Sequence, residues 1–222
     1  MRILAIETAT SLGSVALLEG DRLVRSIEEE VPRRALEWLA PAIRRLLSEG
    51  AWAPAQIEAV AVSRGPGGFT GLRIGIATAV AWARARSVPA VGVSTLAALA
   101  VGVEGAGAIC PMLDARRGEV AAALFSRNGV EPRRLRDDLV APLDQILASL
   151  AGEEPITFAG DALAKYAGAI TARLGLRAII APEAQWAPRA AHVGRLARQR
   201  LARGEHDDLY HLWPVYARAA VS

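Results

Sequence analysis

Gln56-Ile57-Glu58-Ala59-Val60-Ala61-Val62-Ser63, then Arg64-Gly65-Pro66-Gly67-Gly68-Phe69-Thr70-Gly71, then Leu72 to Arg86, is the stretch that decides the fold. The first eight residues, dense in Ile57, Val60 and Val62, read as a buried strand. The next eight read as a glycine-rich turn. From Leu72 to about Arg86, the residues Leu72, Ile76, Ala79, Val80 and Ala83 share one helical face. Pro89 to Val93 reads as a further strand, and Ser94 or Thr95 can cap the short helix after it. Strand, turn, helix and strand in that order make a crossover unit of a sheet with helical cover.

Upstream, residues 3–6, Ser14 to Leu18 and Arg22 to Ile27 read as a three-strand meander, turned at Glu19-Gly20-Asp21. Residues 33–49 read as a helix with Leu36, Leu39, Ile43, Leu46 and Leu47 on one face. Pro41 inside it predicts a kink or break near Ala40, because proline removes a backbone donor. Downstream the order recurs more faintly. Strands are predicted at Ala108 to Asp114, Val120 to Phe125 and within 130–140. A helix follows at Leu143 to Leu150, a strand at Ile156 to Ala159, a helix at Ala162 to Leu174, a strand at Arg177 to Ile180 and a helix at Arg189 to Arg203. Two copies of βββαβα predict an α/β protein of two lobes, of the actin or ribonuclease-H type, each a mixed sheet covered by helices. The expected lobes are 1–104 and 105–222, with Val101 to Gly107 as hinge and the last segment packing back on the first lobe.

The chain has 222 residues, 26 Lys and Arg against 23 Asp and Glu, and a net charge of +3. Lys165 is its single lysine, so the arginine and alanine content reads as compositional bias. A charge this small is weak support for direct nucleic-acid binding. No apolar run approaches the ~20 residues of a membrane-spanning helix. No secretory signal is visible, since Glu7 follows the first strand at once, and a cytoplasmic location is expected. Cys110 stands alone in an apolar run and reads as a core residue.

Several motifs have two readings. The glycine-rich turn at a helix N-terminus can hold an anion. It lacks the Gly-Lys-Ser/Thr of a phosphate loop and the third glycine of the dinucleotide fingerprint. Alternatively, Gly71 and Gly75, four apart, permit close packing against another element. Glu7-Thr8-Ala9-Thr10-Ser11 could position phosphate and metal, or be a solvated turn. With Gly67 and Gly68, the residues Glu7, Thr8 and Thr10 form a candidate nucleotide cleft. Asp114-Ala115-Arg116-Arg117-Gly118-Glu119 reads as a charged hairpin. His192, His206 and His211 offer neither His-x-x-x-His nor HExxH, and no metal site is expected. No G-x-S-x-G elbow is present, so no serine-protease set is expected. Arg195, Arg198 and Arg200 lie on the exposed side of the last helix, which could meet RNA phosphate or simply face water.

Four stretches closely resemble the TsaB family of bacterial tRNA threonylcarbamoyladenosine biosynthesis proteins. They are Ile3 to Thr10, Ser63 to Gly75, Gly92 to Leu96 and Leu113 to Val120, and Pro214-Val215-Tyr216-Ala217-Arg218 resembles that family's C-terminal motif. The resemblance spans the chain in order and spacing. It implies an actin-like fold and a role in modifying the adenosine beside the anticodon. In that family the catalytic subunit is a paralogue, TsaD, and TsaB is a non-catalytic partner, joined by the small ATPase TsaE. The resemblance therefore implies no catalytic residue and no cofactor in this chain, contact with tRNA through the complex, and a homodimer when the paralogue is absent. The partner-binding helices match 33–49 and 71–86, so the expected interface is Leu36, Leu39, Ile43, Gly71, Leu72, Gly75, Ile76 and Val80. Many relatives carry aspartate where Glu7 stands, and the extra methylene is expected to push the carboxylate outward. Many also carry histidine where this chain has Ala35, so no role passes to that position. A stand-alone actin-like ATPase or kinase, and a tRNA-presenting module, are the competing functions.

Overall fold

The computed structural model describes residues 1–30, 35–127, 132–150, 152 and 155–216. The chain divides into two units, Met1–Ala98 with Pro188–Val215, and Leu99–Ala187 with Tyr216. The division thus falls at Ala98 and Leu99, inside the helix that precedes the predicted hinge.

The first unit holds β1 (Arg2–Glu7), β2 (Leu12–Glu19), β3 (Arg22–Glu30), α1 (Ala35–Glu49), β4 (Ala59–Gly65), α2 (Phe69–Arg86), β5 (Ala90–Ser94) and the start of α3 (Thr95–Gly102). Its sheet has the order β3-β2-β1-β4-β5. β1 runs antiparallel to β2 and parallel to β4, with Ile6 opposite Val62. The second unit holds β6 (Gly107–Arg116), β7 (Glu119–Arg127), β8 (Arg133–Pro142), α4 (Leu143–Ser149), β9 (Ile156–Ala159), α5 (Leu163–Leu174) and β10 (Ala178–Ile180). Its order is β10-β9-β6-β7-β8. Read from its meander edge, β8-β7-β6-β9-β10 has the same connectivity as the first sheet. The repeat in element order is therefore a repeat in topology.

Alternation along the strands sorts the first unit's core into two layers. Leu4, Ile6, Val15, Leu17, Val60 and Val62 meet Leu39, Ile43, Leu46 and Leu47 of α1 and Ile76, Ala79 and Ala83 of α2. Ile3, Ala5, Ala16, Leu18, Ala59 and Ala61 point the other way, toward Ala190, Ala191, Val193 and Ala197. Those four lie on α6 (Ala190–Ala202), which returns from the end of the chain to cover this sheet. The run of alanines on both sides lets helix and sheet approach closely. Alanine here has a packing role, beyond the compositional bias suggested by the sequence. In the second unit Met112, Val120, Leu124, Ile156 and Phe158 pack with Ile146, Leu147 and Ile170 of α4 and α5.

Most element boundaries differ from the sequence expectation by one to three residues, and two differences have physical causes. α1 runs through Pro41 without a break. Pro41 is on the exposed side, where water can satisfy the Glu37 carbonyl it leaves free, and the buried Leu39, Ala42, Ile43, Leu46 and Leu47 hold both halves to the core. α2 begins at Phe69, three residues before Leu72, because the turn's last residues are already helical. The predicted start of the first helix at 33 lies outside the described residues. Ser94 supplies the expected cap of α3, its Oγ accepting the Ala97 N–H at 3.3 Å.

Candidate functional site

Parallel pairing of β1 and β4 brings the residues after Ile6 and Val62, Glu7 and Ser63, side by side. Glu7 is fully buried. One carboxylate oxygen accepts the Ala9 N–H at 2.6 Å, while Oε2 and the neighbouring Ser63 Oγ have no hydrogen-bond partner in good geometry. Burial pushes the Glu7 carboxyl up to about 7 against the lowering pull of the Ala9 N–H, the nearby Ser63 hydroxyl and the Thr8 N–H. The expectation that the longer side chain swings outward is thus corrected: it folds beneath its own turn.

The turn above it is sealed by the glycine-rich segment. Thr8, also buried, donates from Oγ1 to the Gly71 carbonyl at 2.8 Å, and the Gly68 N–H donates to the Ala9 carbonyl at 2.7 Å. A side-chain carbon on Gly71 would strike the Thr8 carbonyl, one on Gly75 the Thr8 hydroxyl, and one on Gly67 would lie 2.6 Å from Ala9 Cβ. Thr10 bonds locally, Oγ1 to the Leu12 carbonyl at 3.4 Å. The candidate cleft residues Glu7, Thr8, Gly67 and Gly68 therefore do come together, but packed against each other. Their glycines seat α2 on the β1–β2 turn.

The same geometry narrows the expected interface. Leu39, Ile43, Leu72, Gly75 and Ile76 are buried in the unit's own core, and Gly71 faces Thr8. A face spent on the sheet cannot also meet a partner. Two residues of the expected interface, Leu36 and Val80, are not buried, and Phe69 and Ile74 join them on α1 and α2. Leu36 is 74% exposed, Phe69 is 50% exposed beneath the Arg73 guanidinium at 3.8 Å, and Val80 and Ile74 are half-buried.

The last helix is not a free basic surface. Arg198 pairs with Asp21 at 2.6 Å, and Arg189 with Glu28 at 3.0 Å. Arg200 donates to the Gly92 carbonyl at 2.9 Å and to Asp207 at 3.0 Å. Arg195 alone of the three expected arginines is exposed. Beyond α6, residues 205–215 form a strap along the first unit's sheet; the sequence reading expected the last segment to pack back on the first lobe but named none of the anchors. Asp207 bridges to Ala90 on the edge strand β5 and accepts the Gly92 N–H at 2.7 Å. Leu212 is buried, filling the space a Gly92 side chain would need. The Val215 N–H donates to the Arg64 carbonyl at 2.6 Å, and the Val215 carbonyl occupies the side-chain position of Gly65, whose φ is +120°. Two stretches far apart in sequence, the start of the glycine-rich turn and Pro214-Val215, thus meet. Gly65 and Gly92 were the available signals.

In the second unit, the Asp114 N–H donates to Asp161 Oδ1 at 2.9 Å, and burial followed by the Asp114 charge raises the Asp161 carboxyl. Asp114 pairs with the exposed Arg116 at 3.6 Å, as the hairpin reading anticipated. Such a pair contributes about 0–1 kcal/mol. His211 pairs with Asp208 at 2.6 Å, while Asp207 turns inward to Arg200. Among the described residues no three His, Cys, Asp or Glu side chains converge as a metal site requires. Cys110 is buried, and its thiol is pushed up to about 12 by burial. No helix among the described residues is long and apolar enough to cross a membrane.

The model of the family described as TsaD, tRNA N6-adenosine threonylcarbamoyltransferase, matches residues 27–220. The tRNA threonylcarbamoyladenosine biosynthesis protein TsaB of Bacillus subtilis is 31% identical, over 99% of this chain and 95% of that protein. The solved structure of YeaZ from Pseudomonas aeruginosa has a TM-score of 0.85 at 32% identity, over 97% of this chain and 99% of that one. The activator of 2-hydroxyisocaproyl-CoA dehydratase from Clostridium difficile, solved with ADPNP, has a TM-score of 0.57 at 11% identity, over 92% of this chain and 97% of its own. That last likeness is one of fold alone. The architecture is the actin-like one expected from the repeated element order.

Proposed function

The chain belongs to the TsaB family of tRNA threonylcarbamoyladenosine biosynthesis proteins, and from that premise we propose that it is a non-catalytic subunit that binds and activates a TsaD-type paralogue. The paralogue transfers the threonylcarbamoyl group to the adenosine next to the anticodon. This chain supports it from outside, with a TsaE-type ATPase joining the assembly in the cytoplasm. tRNA is met through the complex, and the chain pairs with itself when the paralogue is absent.

The observation that carries this reading is Leu36. It is 74% exposed at the start of a helix whose other leucines, Leu39, Leu46 and Leu47, are all buried. One outward leucine is ordinary by itself; here it joins the half-exposed Phe69 of α2, a helix packed on the same side of the sheet, as apolar surface that a partner can cover. The state of Glu7 agrees. A carboxylate meant to position metal and phosphate needs access, whereas this one is sealed by Ala9 and the glycine-rich turn. The engaged arginines of α6 weigh against an RNA-presenting helix.

The test is co-purification with the matched TsaD-type protein. Leu36→Arg, on a solvent-exposed position, is expected to leave the melting temperature unchanged and to reduce capture by about tenfold or more, equivalent to about 1.4 kcal/mol. Undiminished capture by the folded variant removes the α1 surface from the interface. Ile76 is unsuitable for this purpose, because Ile76→Arg would place a charge in the core.

A further inference from the structure

The glycine-rich turn carries little that could fix its own shape. Gly65, Gly67 and Gly68 make up most of the run from Arg64 to Gly68, and glycine loses more backbone freedom on ordering than any other residue. Gly68 is the N-cap of α2 and has no side chain to close the helix's first turn. The position of Phe69, the next residue, is therefore set by what clamps the turn from outside. On one side the Ala9 carbonyl accepts the Gly68 N–H at 2.7 Å, and Gly67 lies against Ala9. On the other the Arg64 carbonyl accepts the Val215 N–H at 2.6 Å, and the Val215 carbonyl fills the side-chain position of Gly65. Only Pro66 separates the two clamps. Val215 arrives on a strap that is anchored before it reaches the turn. Asp207 is held by Arg200 and the Gly92 N–H, and Leu209 and Leu212 pack into the first unit's core. Both contacts of Val215 with the turn are made by its backbone, while its side chain is partly exposed.

We propose that the strap is a clasp on the glycine-rich turn, with Val215 as a positioning residue that acts through Arg64 and Gly65 on the start of α2, and so on binding of the TsaD-type paralogue. The inference rests on the partner role proposed above and adds to it a residue that works through the turn, not by contact with the partner. The physical basis is preorganisation. A turn already held in one shape has less freedom left to lose when a partner covers Phe69. Released from the strap, the glycines would regain that freedom, and association would have to order them again. The chemistry of the joint gives a clean distinction. Val215→Ala keeps the N–H and the carbonyl. Val215→Pro removes the N–H and leaves the anchors at Asp207 and Leu212 untouched.

The experiment is calorimetric titration of the full-length chain with its matched paralogue, alongside melting temperature and amide hydrogen exchange of each variant. Val215→Pro is expected to bind weaker by about fivefold or more. It is expected to melt within about 4 °C of wild type. Its Gly68 amide should exchange faster while the amides of β1 and β4 keep their protection. Val215→Ala is expected to behave as wild type in all three. If wild type binds and folded Val215→Pro binds within about fivefold of it, the clasp is refuted while the partner role stands. If Val215→Ala binds as weakly as Val215→Pro, the paralogue reads the valine side chain itself and the positioning role is overturned. If Val215→Pro loses protection across the whole first sheet, the joint is a general stabiliser and the proposal is overturned likewise. If wild type does not bind at all, the partner role fails and the inference falls with it. Should Val215→Pro fail to fold, exchange in wild type decides. The Val215 and Gly68 amides are expected to open together, with protection equal within about threefold, and a Gly68 amide that stays protected once Val215 has opened refutes the clasp.

Discussion

Replacing Glu7 by glutamine should stabilise the protein at neutral and alkaline pH, by an amount the structure sets. The folded-state carboxyl is raised from the ordinary 4.5 to about 7 by burial. Below about pH 4.5 the group is protonated in both folded and unfolded chains and carries no penalty. Between 4.5 and 7 the unfolded chain releases the proton while the folded chain keeps it, so stability falls as pH rises. Above 7 the folded protein holds a buried carboxylate and the full penalty is present. At about 1.4 kcal/mol per pH unit, the loss is about 3 kcal/mol. Glutamine has the same shape and no charge. Its carbonyl can take the Ala9 N–H, and its amide can reach the Ser63 hydroxyl, which lacks a partner in good geometry. Urea unfolding of both proteins from pH 4.5 to 8 isolates the effect, because titrations of other groups cancel in the difference. The stability of Glu7→Gln relative to wild type should rise by about 3 kcal/mol across that range. A difference that stays flat, or that falls with pH, would refute the idea of a neutral buried acid beneath the glycine-rich turn.

Two other substitutions test neighbouring parts of the account. Gly71→Ala directs a methyl group at the Thr8 carbonyl, a rigid backbone obstacle, and should lower stability by about 1–3 kcal/mol in thermal or urea unfolding. Arg200→Ala leaves the Asp207 carboxylate and the Gly92 carbonyl short of donors and should cost about 1.5–3 kcal/mol. If Arg200 served RNA instead, the same change would weaken tRNA binding with stability intact.

Much of the fold was legible because periodicity reports directly on burial. The meander, the βαβ crossover and their fainter second copy all came from spacing of apolar residues. Boundaries shifted where local signals compete with packing, as at Pro41, whose cost is small on an exposed side, and at Phe69, where the glycine-rich turn passes into helix. The site was less legible. Spacing placed Leu72, Ile76, Leu39 and Ile43 correctly on single helical faces, yet periodicity marks the face a helix buries and does not say against what. In this chain that face meets its own sheet. Glycine spacing at 71 and 75 correctly signalled a close approach. The approaching element was the Thr8–Ala9 turn, sixty residues upstream, which no local pattern could identify. The strap was expected only as a last segment packing back on the first lobe, and its attachment points were illegible for a related reason. Its anchors are backbone groups of Arg64 and Gly92, one leucine and the Asp207 carboxylate, and no local pattern says which distant groups they meet.

The most direct measurement of the central claim is reconstituted tRNA modification, with matched TsaD-type and TsaE-type proteins, threonylcarbamoyl-adenylate and tRNA, with and without this chain. Modification is predicted to appear only when the chain is added, and the chain alone should convert nothing. Full modification in its absence, or turnover by the purified chain alone, would contradict the account.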